Sequence, residues 1–281
     1  MKNYNPTPFV SVVIPTYNSQ KTILKCLQSI KKQTYEKIET VVIDRHSDDM
    51  TARIAQQFYA NVFSLNSERS AAKNFGAKKA NGDFLLFVDS DMELCPKVVE
   101  ECVKLCVEKK FDAVVIPETT VAKDFLAECR KLERELYNSD PNFFLMPRFF
   151  RKDAFLSVQG FDEALICGED FDLARRYEKH GYRIGMATLP IRHFEGNLSL
   201  KKIVFKAHFY GKSLLPFFSK EPELALRGYC PTRFAWNIKR LLEHPKCLLG
   251  LVVIKIFESI AYITGIFADA LGRMLLTRDR K

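Results

Sequence analysis

The sequence predicts an α/β protein: a Rossmann-like, doubly wound, mostly parallel sheet followed by a helical C-terminal extension. Three observations carry this expectation. Over the first 115 residues, β-branched runs alternate with helix-periodic segments at the short spacing of βαβ units. The run FLLFVDSD (Phe84 to Asp91) is apolar enough for a strand buried on both faces, and it ends in two aspartates, Asp89 and Asp91. After His193 the chain turns basic and helical, which places a boundary near residue 195 and divides the chain into 1–195 and 196–281.

Taken in order, Phe9–Ile14 is a β-branched run stopped by Pro15, and Ile23, Leu24, Leu27 and Ile30 give residues 20–32 helical periodicity. Ile38–Ile43 is a second strand, and the polar HSDD turn after it caps a helix running through Ile54, with Asp48 and Asp49 as the capping residues. Val62–Leu65 is a short strand. Glu68–Ala80 is a helix stopped by Asn81-Gly82. Beyond the acidic strand come a helix near 97–109 and a strand at Ala113–Ile116. Residues 120–139 are helical and 143–151 extended and aromatic. Gly160 to Lys179 passes from a turn into an acidic-headed helix, and short strands follow near 182–187 and 189–194.

The chain has 281 residues, of which 47% are hydrophobic, so it has the material for a sizeable core and is not globally disordered. Its eight cysteines contain no CxxC pair, and although Cys102 and Cys106 share a helix face, no histidine lies near them in sequence to complete a metal site. Buried, reduced thiols of a cytosolic protein are expected. The N-terminal MKNYNPTPFV lacks the apolar stretch of a signal peptide. Charge is unevenly placed. Residues 1–195 hold 28 Lys and Arg against 28 Asp and Glu, and residues 196–281 hold 15 against 6, so the whole net charge of +9 lies in the last third.

Two carboxylates at the end of a buried strand are expensive to bury without a counter-charge. In an open α/β sheet that edge is where a divalent metal and a phosphorylated ligand are presented; the plain alternative is a solvated acidic turn. Four segments carry a fuller pattern: SVVIPTYN (Ser11–Asn18), ETVVIDRHSDDMT (Glu39–Thr51), ERSAAKNFGAKKANGDFLLFVDSD (Glu68–Asp91) and GFDEALICGEDFDLARR (Gly160–Arg176). In this order and spacing they resemble the family 2 glycosyltransferases of the A-type fold, over about residues 8–195.

The resemblance implies roles residue by residue. Pro15, Thr16 and Tyr17 would hold the base and ribose of a nucleotide, Tyr17 offering a ring face; on their own they read as an ordinary strand-ending loop. Asp44 would accept from the pyrimidine edge, as a strand-end carboxylate can. Arg45 and His46 stand where the family has a second acid and a glycine, which leaves base preference open and stiffens the loop. Arg69 and Lys73 share a helix face with Asn74 beside them; this is either a solvated basic face or, for Lys73, a nucleotide contact. Asp91 would bind the metal, Mn2+ or Mg2+, directly, with Asp89 at the ribose or reaching the metal through water. His193 is a candidate third ligand, although a lone histidine is often structural. Of Glu169 and Asp170, which the helix macrodipole favours in a first turn regardless, Asp170 would be the general base and Glu169 its substitute.

Residues 197–245 interleave aromatic and apolar residues with lysines, then add Arg227, Arg233, Lys239 and Arg240; no nucleic-acid motif is present, so the partner expected for this charge is a membrane surface. The apolar stretch from Cys247 is broken by Lys255 and Glu258, and on a helix over 247–276 Lys255, Glu258, Tyr262, Asp269 and Arg273 fall on one narrow face. That pattern fits a helix lying in the interface, or else one packed on the catalytic domain or a second subunit, where it would support an oligomer. The expected function is inverting, metal-dependent transfer of a sugar from a nucleotide-sugar donor, UDP-linked by preference, to an acceptor hydroxyl of a lipid-linked or other glycan. The expected location is cytoplasmic, peripherally attached to the cytosolic face of a membrane. The alternatives are a polyprenyl-phosphate sugar synthase and a degenerate protein that binds a nucleotide sugar without transferring it.

Overall fold

The computed structural model describes residues 7–138, 146–194, 198–229 and 238–278. Packing divides them into two compact units, the first of residues 7–119, 146–163 and 169–194 and the second of residues 120–138, 164–168, 198–229 and 238–278. The last passage into the second unit follows Phe194. Segment 120–138, which the sequence division leaves with the first domain, packs with the C-terminal helices.

The first half of the chain runs β1 (Val10–Thr16), α1 (Ile23–Lys31), β2 (Ile38–Asp44), α2 (Thr51–Gln57), β3 (Asn61–Ser64), α3 (Arg69–Lys79), β4 (Phe84–Phe87), β5 (Met92–Leu94), α4 (Val98–Glu108), β6 (Ala113–Val115), β7 (Glu118–Thr120) and α5 (Phe125–Asn138). It continues through β8 (Phe149–Arg151), α6 (Lys152–Ser157), α7 (Glu169–Lys179), β9 (Ile184–Met186) and β10 (Ile191–His193). A seven-stranded sheet has the order β3-β2-β1-β4-β8-β6-β9, and a small sheet has the order β5-β10-β7. Strands β3, β2, β1 and β4 are parallel, and β8 is antiparallel to both neighbours.

Period-two alternation explains how this sheet is buried on both faces. Val10, Val12 and Ile14 point to one side with Phe84 and Leu86, against Ile23 and Leu27 of α1 and Val99 and Cys102 of α4. Val13, Val41, Leu85 and Phe87 point to the other, against Ala72 and Ala77 of α3, Phe155 of α6 and Tyr177 of α7. Each such side chain stabilises the fold by about 1.5–3 kcal/mol. Gly76 sets how closely α3 approaches. A Cβ there would stand 2.4 Å from Val13 Cγ1 and 3.3 Å from Ile43 Cγ1, inside normal carbon contact, so the helix seats on the sheet because the residue is glycine.

The described cysteines are thiols, not disulfides. Burial holds the Cys102 thiol well above its ordinary value and pushes Cys106 up to about 12, so both stay protonated and inert. Three elements were not expected from sequence: β5, β7 and α6, of three to six residues each. Residue 139 of the expected helix and residues 143–145 of the expected extended stretch lie outside the described residues.

The second unit adds α8 (Leu200–Gly211), α9 (Leu214–Lys220), α10 (Pro222–Tyr229), α11 (Ile238–Leu242) and α12 (Pro245–Arg278) to α5. Ser199 caps α8 by accepting from the Lys202 N–H. Cys129 and Leu132 of α5, Ile203 of α8, and Leu251 and Ile254 of α12 form its core. Helices α8 and α12 meet at paired glycines, where a Cβ on Gly265 would stand 2.9 Å from the Gly211 Cα.

The polar stripe of α12 faces protein. Lys255 Nζ lies 2.5 Å from Glu133 and 2.9 Å from Glu258, and Arg130 bridges Glu133 and Glu258, so four charges close a ring between α5 and α12. The outward face carries Leu249, Val253, Ile256, Ile260, Ile263, Phe267 and Leu271, each more than two-fifths exposed. The helix is therefore inverted relative to one packed on a soluble core. Within Pro245–Leu271 its most apolar 18-residue stretch has a mean hydropathy of 1.9, and the helix is long and apolar enough to cross a membrane by length and composition. Arg233 and the side chains of Arg227 and Arg273 lie outside the described residues.

Candidate active site

The expected ligand residues sit at the carboxyl ends of neighbouring parallel strands. Thr16 pairs with Asp44 in register, and the Arg45 N–H donates to the Thr16 carbonyl at 2.9 Å. The Thr16 hydroxyl is buried with no hydrogen-bond partner among the described residues. Tyr17 is 55% exposed, and the Arg45 guanidinium stands 6.0 Å from its ring centroid while pairing with Glu68 at 3.0 Å. Arg45, the departure from the family pattern, thus lies over the ring assigned to the base.

Asp44 is buried and held by Ser47, whose N–H and hydroxyl donate to its two oxygens at 2.8 and 2.6 Å. The Ser47 hydroxyl accepts from the Asn18 N–H at 2.9 Å, which ties the loops after β1 and β2 together. A lone pair remains on each Asp44 oxygen for a donor on a base. His46 has a φ of 51°, the left-handed backbone that glycine would adopt freely and that costs other residues about 1–2 kcal/mol. Asp49 accepts from the Thr51 N–H at 2.9 Å just ahead of α2, but the N-cap residue of that helix is Met50, so Asp49 is not the expected cap. Asp48 does not cap: it contributes its backbone N–H to the Asn18 side chain at 3.0 Å.

The acidic pair begins just past β4, whose last paired residue, Phe87, lies opposite Val13. A continuous chain of charges links its two members. Asp89 lies 3.4 Å from Arg148 Nη2, and Arg148 donates through Nε to Glu118 Oε1 at 2.7 Å, with its Nη2 in ion-pair contact with the same oxygen at 2.5 Å. Glu118 Oε2 is 3.4 Å from His193 Nδ1, and His193 Nε2 is 3.3 Å from Asp91 Oδ2. The small sheet makes this closure possible: β10 runs antiparallel to β5 with His193 opposite Met92, and the Phe194 N–H donates to the Asp91 carbonyl at 2.9 Å. Burial opposes the charge on Asp89, but Arg148, then Lys73 and Arg69, outweigh it and hold the carboxyl well below the usual range.

The second acidic pair heads α7. Glu169 lies 3.4 Å from Arg69 with its side chain 5% exposed, and Asp170 lies 3.6 Å from Lys73 with its side chain 31% exposed. Burial, and then the charge of Asp170, raise the Glu169 pKa, with Arg69 and Lys73 pulling the other way. Lys73 itself is almost fully buried, 4.6 Å from the Phe161 ring centroid. The i,i+4 pair on α3 thus supplies a cation to each carboxylate of α7. Asn74 anchors the approach to α7 by accepting from the Phe161 N–H at 2.9 Å and donating to its carbonyl at 2.8 Å.

Among the described residues no group of three His, Cys, Asp or Glu side chains forms a metal cluster. Asp91 and His193 nevertheless offer an oxygen and a nitrogen 3.3 Å apart. This suits Mn2+ or Mg2+ held by few protein ligands and completed by substrate phosphates and water, not an all-protein cage. Sequence reasoning missed Ser47, Glu118 and Arg148. Glu118 carried a signal, since it follows a strand and a proline much as the named strand-end residues do. Arg148, alone in an aromatic run, carried none.

The doubly wound sheet, with one acidic pair just past an inner strand and another heading a helix, is the arrangement of the A-type glycosyltransferase fold. Residues 11–162 match the model of glycosyl transferase family 2, and the chain belongs to that family. Glycosyltransferase AglE of Haloferax volcanii is 31% identical over 196 residues, 64% of this chain and 64% of AglE. The chain thus spans less than two thirds of AglE, and its match covers 38% of the length of Streptococcus pneumoniae GlyG. Among solved structures, the mannosyltransferase PcManGT from Pyrobaculum calidifontis, in complex with GDP-Man and Mn2+, superposes with a TM-score of 0.59 at 17% identity, covering 94% of this chain and 87% of that one. S. aureus TarS 1-349 in complex with UDP-GlcNAc gives 0.55 at 21% identity, covering 88% and 80%. At these identities the likeness establishes the fold.

Proposed function

We propose that the chain is an inverting, metal-dependent glycosyltransferase that moves a sugar from a nucleotide-sugar donor, UDP-linked by preference, to an acceptor hydroxyl. The observation that carries this reading is Asp170, the accessible carboxylate of the α7 pair, standing 3.6 Å from the buried Lys73. Asp170 takes the proton of the acceptor hydroxyl. The acceptor oxygen attacks the anomeric carbon from the side opposite the leaving group. The anomeric C–O bond of the donor breaks, and its electron pair leaves with the nucleoside diphosphate. Lys73 orients Asp170 and stands ready for the diphosphate, while Thr16, Tyr17 and Asp44 receive the nucleoside. A divalent cation bound at Asp91 and His193 would neutralise the charge of the departing diphosphate.

Donors held by proteins of this fold include UDP-GlcNAc in TarS and GDP-Man with Mn2+ in PcManGT, so the test compares nucleotides. Thermal unfolding is measured with UDP-, GDP- and dTDP-sugars, each with and without Mn2+. A UDP-sugar with Mn2+ is expected to stabilise most, by about 2.7 kcal/mol at 100 times its dissociation constant. Equal stabilisation without Mn2+ would remove the metal from the proposal, and no stabilisation by any donor would remove the activity.

The acceptor is proposed to be lipid-linked and reached from the cytosolic face of a membrane. Supporting this are the outward apolar face of α12 and the exposed Lys201, Lys202, Phe205 and Lys206 of α8. The α5–α12 charge ring favours a helix lying in the interface over one that spans. Glu128 and Lys131 of α5 are exposed, and drawing charges to the bilayer centre costs about 2.5–3.5 kcal/mol each. The protein is expected to float with anionic liposomes at low salt, more weakly at high salt, and to be released by detergent. Each basic residue near the surface contributes about 1 kcal/mol of salt-sensitive attraction, so charge reversal at Lys201, Lys202 and Lys206 should ease release by salt. Failure to float at low salt would overturn the assignment.

A further inference from the structure

Glu118 belongs to no segment of the family resemblance, yet it sits between the two halves of the acidic centre. Its Oε1 accepts from Arg148 Nε at 2.7 Å and pairs with Nη2 at 2.5 Å, and its Oε2 stands 3.4 Å from His193 Nδ1. Glu118 and Asp91 thus address opposite nitrogens of one imidazole, with Asp91 3.3 Å from Nε2. The two ring nitrogens point away from each other, so a cation bound at Nε2 and Asp91 is out of reach of Glu118. Glu118 can act on that cation only through the ring.

We propose that Glu118 is a positioning residue that holds the His193 hydrogen on Nδ1 and so presents the Nε2 lone pair to the cation shared with Asp91. The physical basis is the donor inventory. A carboxylate is acceptor-only, so Asp91 and Glu118 each favour a hydrogen on the ring nitrogen they face; with a cation on Asp91 and the Nε2 lone pair, Nδ1 is the nitrogen that keeps its hydrogen, and Glu118 is the acceptor beside it. Arg148 makes the orientation durable: its Nε–H bond and the charge of its guanidinium fix one Glu118 oxygen and leave the other directed at His193. The same guanidinium reaches Asp89 at 3.4 Å, so one side chain aligns both arms of the acidic pair. Partners of this kind typically alter metal affinity by about 10–100-fold when removed. The inference rests on the reading of Asp91 and His193 as metal ligands.

Glu118→Gln isolates the point. Its amide has a single acceptor oxygen, which the Arg148 guanidinium claims, and its NH2 then faces Nδ1. That arrangement moves the ring hydrogen to Nε2 and blocks the ligand atom, with little change in shape. Mn2+ affinity is measured directly, by electron paramagnetic resonance of free Mn2+ with UDP present, on full-length wild type, Glu118→Gln, His193→Ala and the double variant. Glu118→Gln is expected to weaken Mn2+ by about 10–100-fold. In the His193→Ala background it should weaken Mn2+ no further.

Unchanged Mn2+ affinity in Glu118→Gln, beside a loss in His193→Ala, would overturn the positioning role and leave the metal reading intact. Additive losses would also overturn it, because Glu118 would then act through Arg148 and Asp89. Unchanged affinity in His193→Ala would overturn the metal reading and the inference with it. A readout that needs no Glu118 variant is the 15N spectrum of the wild-type histidines with Mg2+ and UDP, assigned by the signals lost in His193→Ala. Hydrogen on Nδ1 of His193 supports the proposal, and hydrogen on Nε2 overturns it.

Discussion

Replacing Asp170 by asparagine is expected to lower turnover by about 10²–10⁴ while the nucleotide still binds, the usual contribution of a general base. Asparagine has nearly the same shape, and its carbonyl can still face Lys73, which stands 3.6 Å from the carboxylate in the wild type. What is lost is the capacity to take a proton. Asp170 suits this role better than its neighbour on grounds of access: its side chain is 31% exposed, whereas Glu169 is 5% exposed and turned to Arg69. The measurement is turnover by nucleotide release, set beside nucleotide affinity by calorimetry. If affinity collapses together with turnover, Asp170 belongs to the donor site and the proposed role is wrong. If turnover survives, the acceptor needs no base. An acceptor that is already ionised, such as a polyprenyl phosphate, would behave in that way.

The parts of the molecule legible in the sequence are those where one residue pattern admits one structure. Val10, Val12 and Ile14 alternate with Ser11 and Val13, and both sets are buried, so β1 could be read as an inner strand before its partners were known. The positions of Thr16, Asp44 and Asp89 at or just past strand ends were legible for the same reason, because a polar residue closing such a run marks the carboxyl edge of the sheet. Strands β5 and β7 were not, since three residues hold too few positions to establish a period. The charge chain through Arg148 and Glu118 was hidden because it joins residues 30 apart in sequence that meet only when the small sheet forms. The stripe of α12 shows a different limit. Periodicity places Lys255 and Glu258 on one face but is silent on whether that face meets water or protein. The answer lies in Arg130 and Glu133 of α5, more than a hundred residues away, which complete the ring.

Asp91→Ala is expected to abolish metal-dependent nucleotide binding and nearly all transfer, because the donor diphosphate would lose its counter-charge. The substitution is a clean one. The Asp91 side chain is 36% exposed, and the bond that fixes its place, from the Phe194 N–H to the Asp91 carbonyl, belongs to the backbone. Alanine therefore leaves the turn, β5 and β10 as they are, and leaves the contact between His193 and Glu118 in place. Asp89 would be the poorer choice. Removing it strips the buried Arg148 of one of its two carboxylates, and breaking a buried pair costs about 3–5 kcal/mol, so lost activity could reflect lost fold. The decisive comparison is UDP affinity with and without Mn2+. In the wild type Mn2+ should strengthen UDP binding, and in Asp91→Ala the two affinities should converge on the metal-free value while the melting temperature of the unliganded protein stays close to wild type. Mn2+ strengthening UDP binding equally in both proteins would show that the cation is held elsewhere, and the role of Asp91 would fall with it.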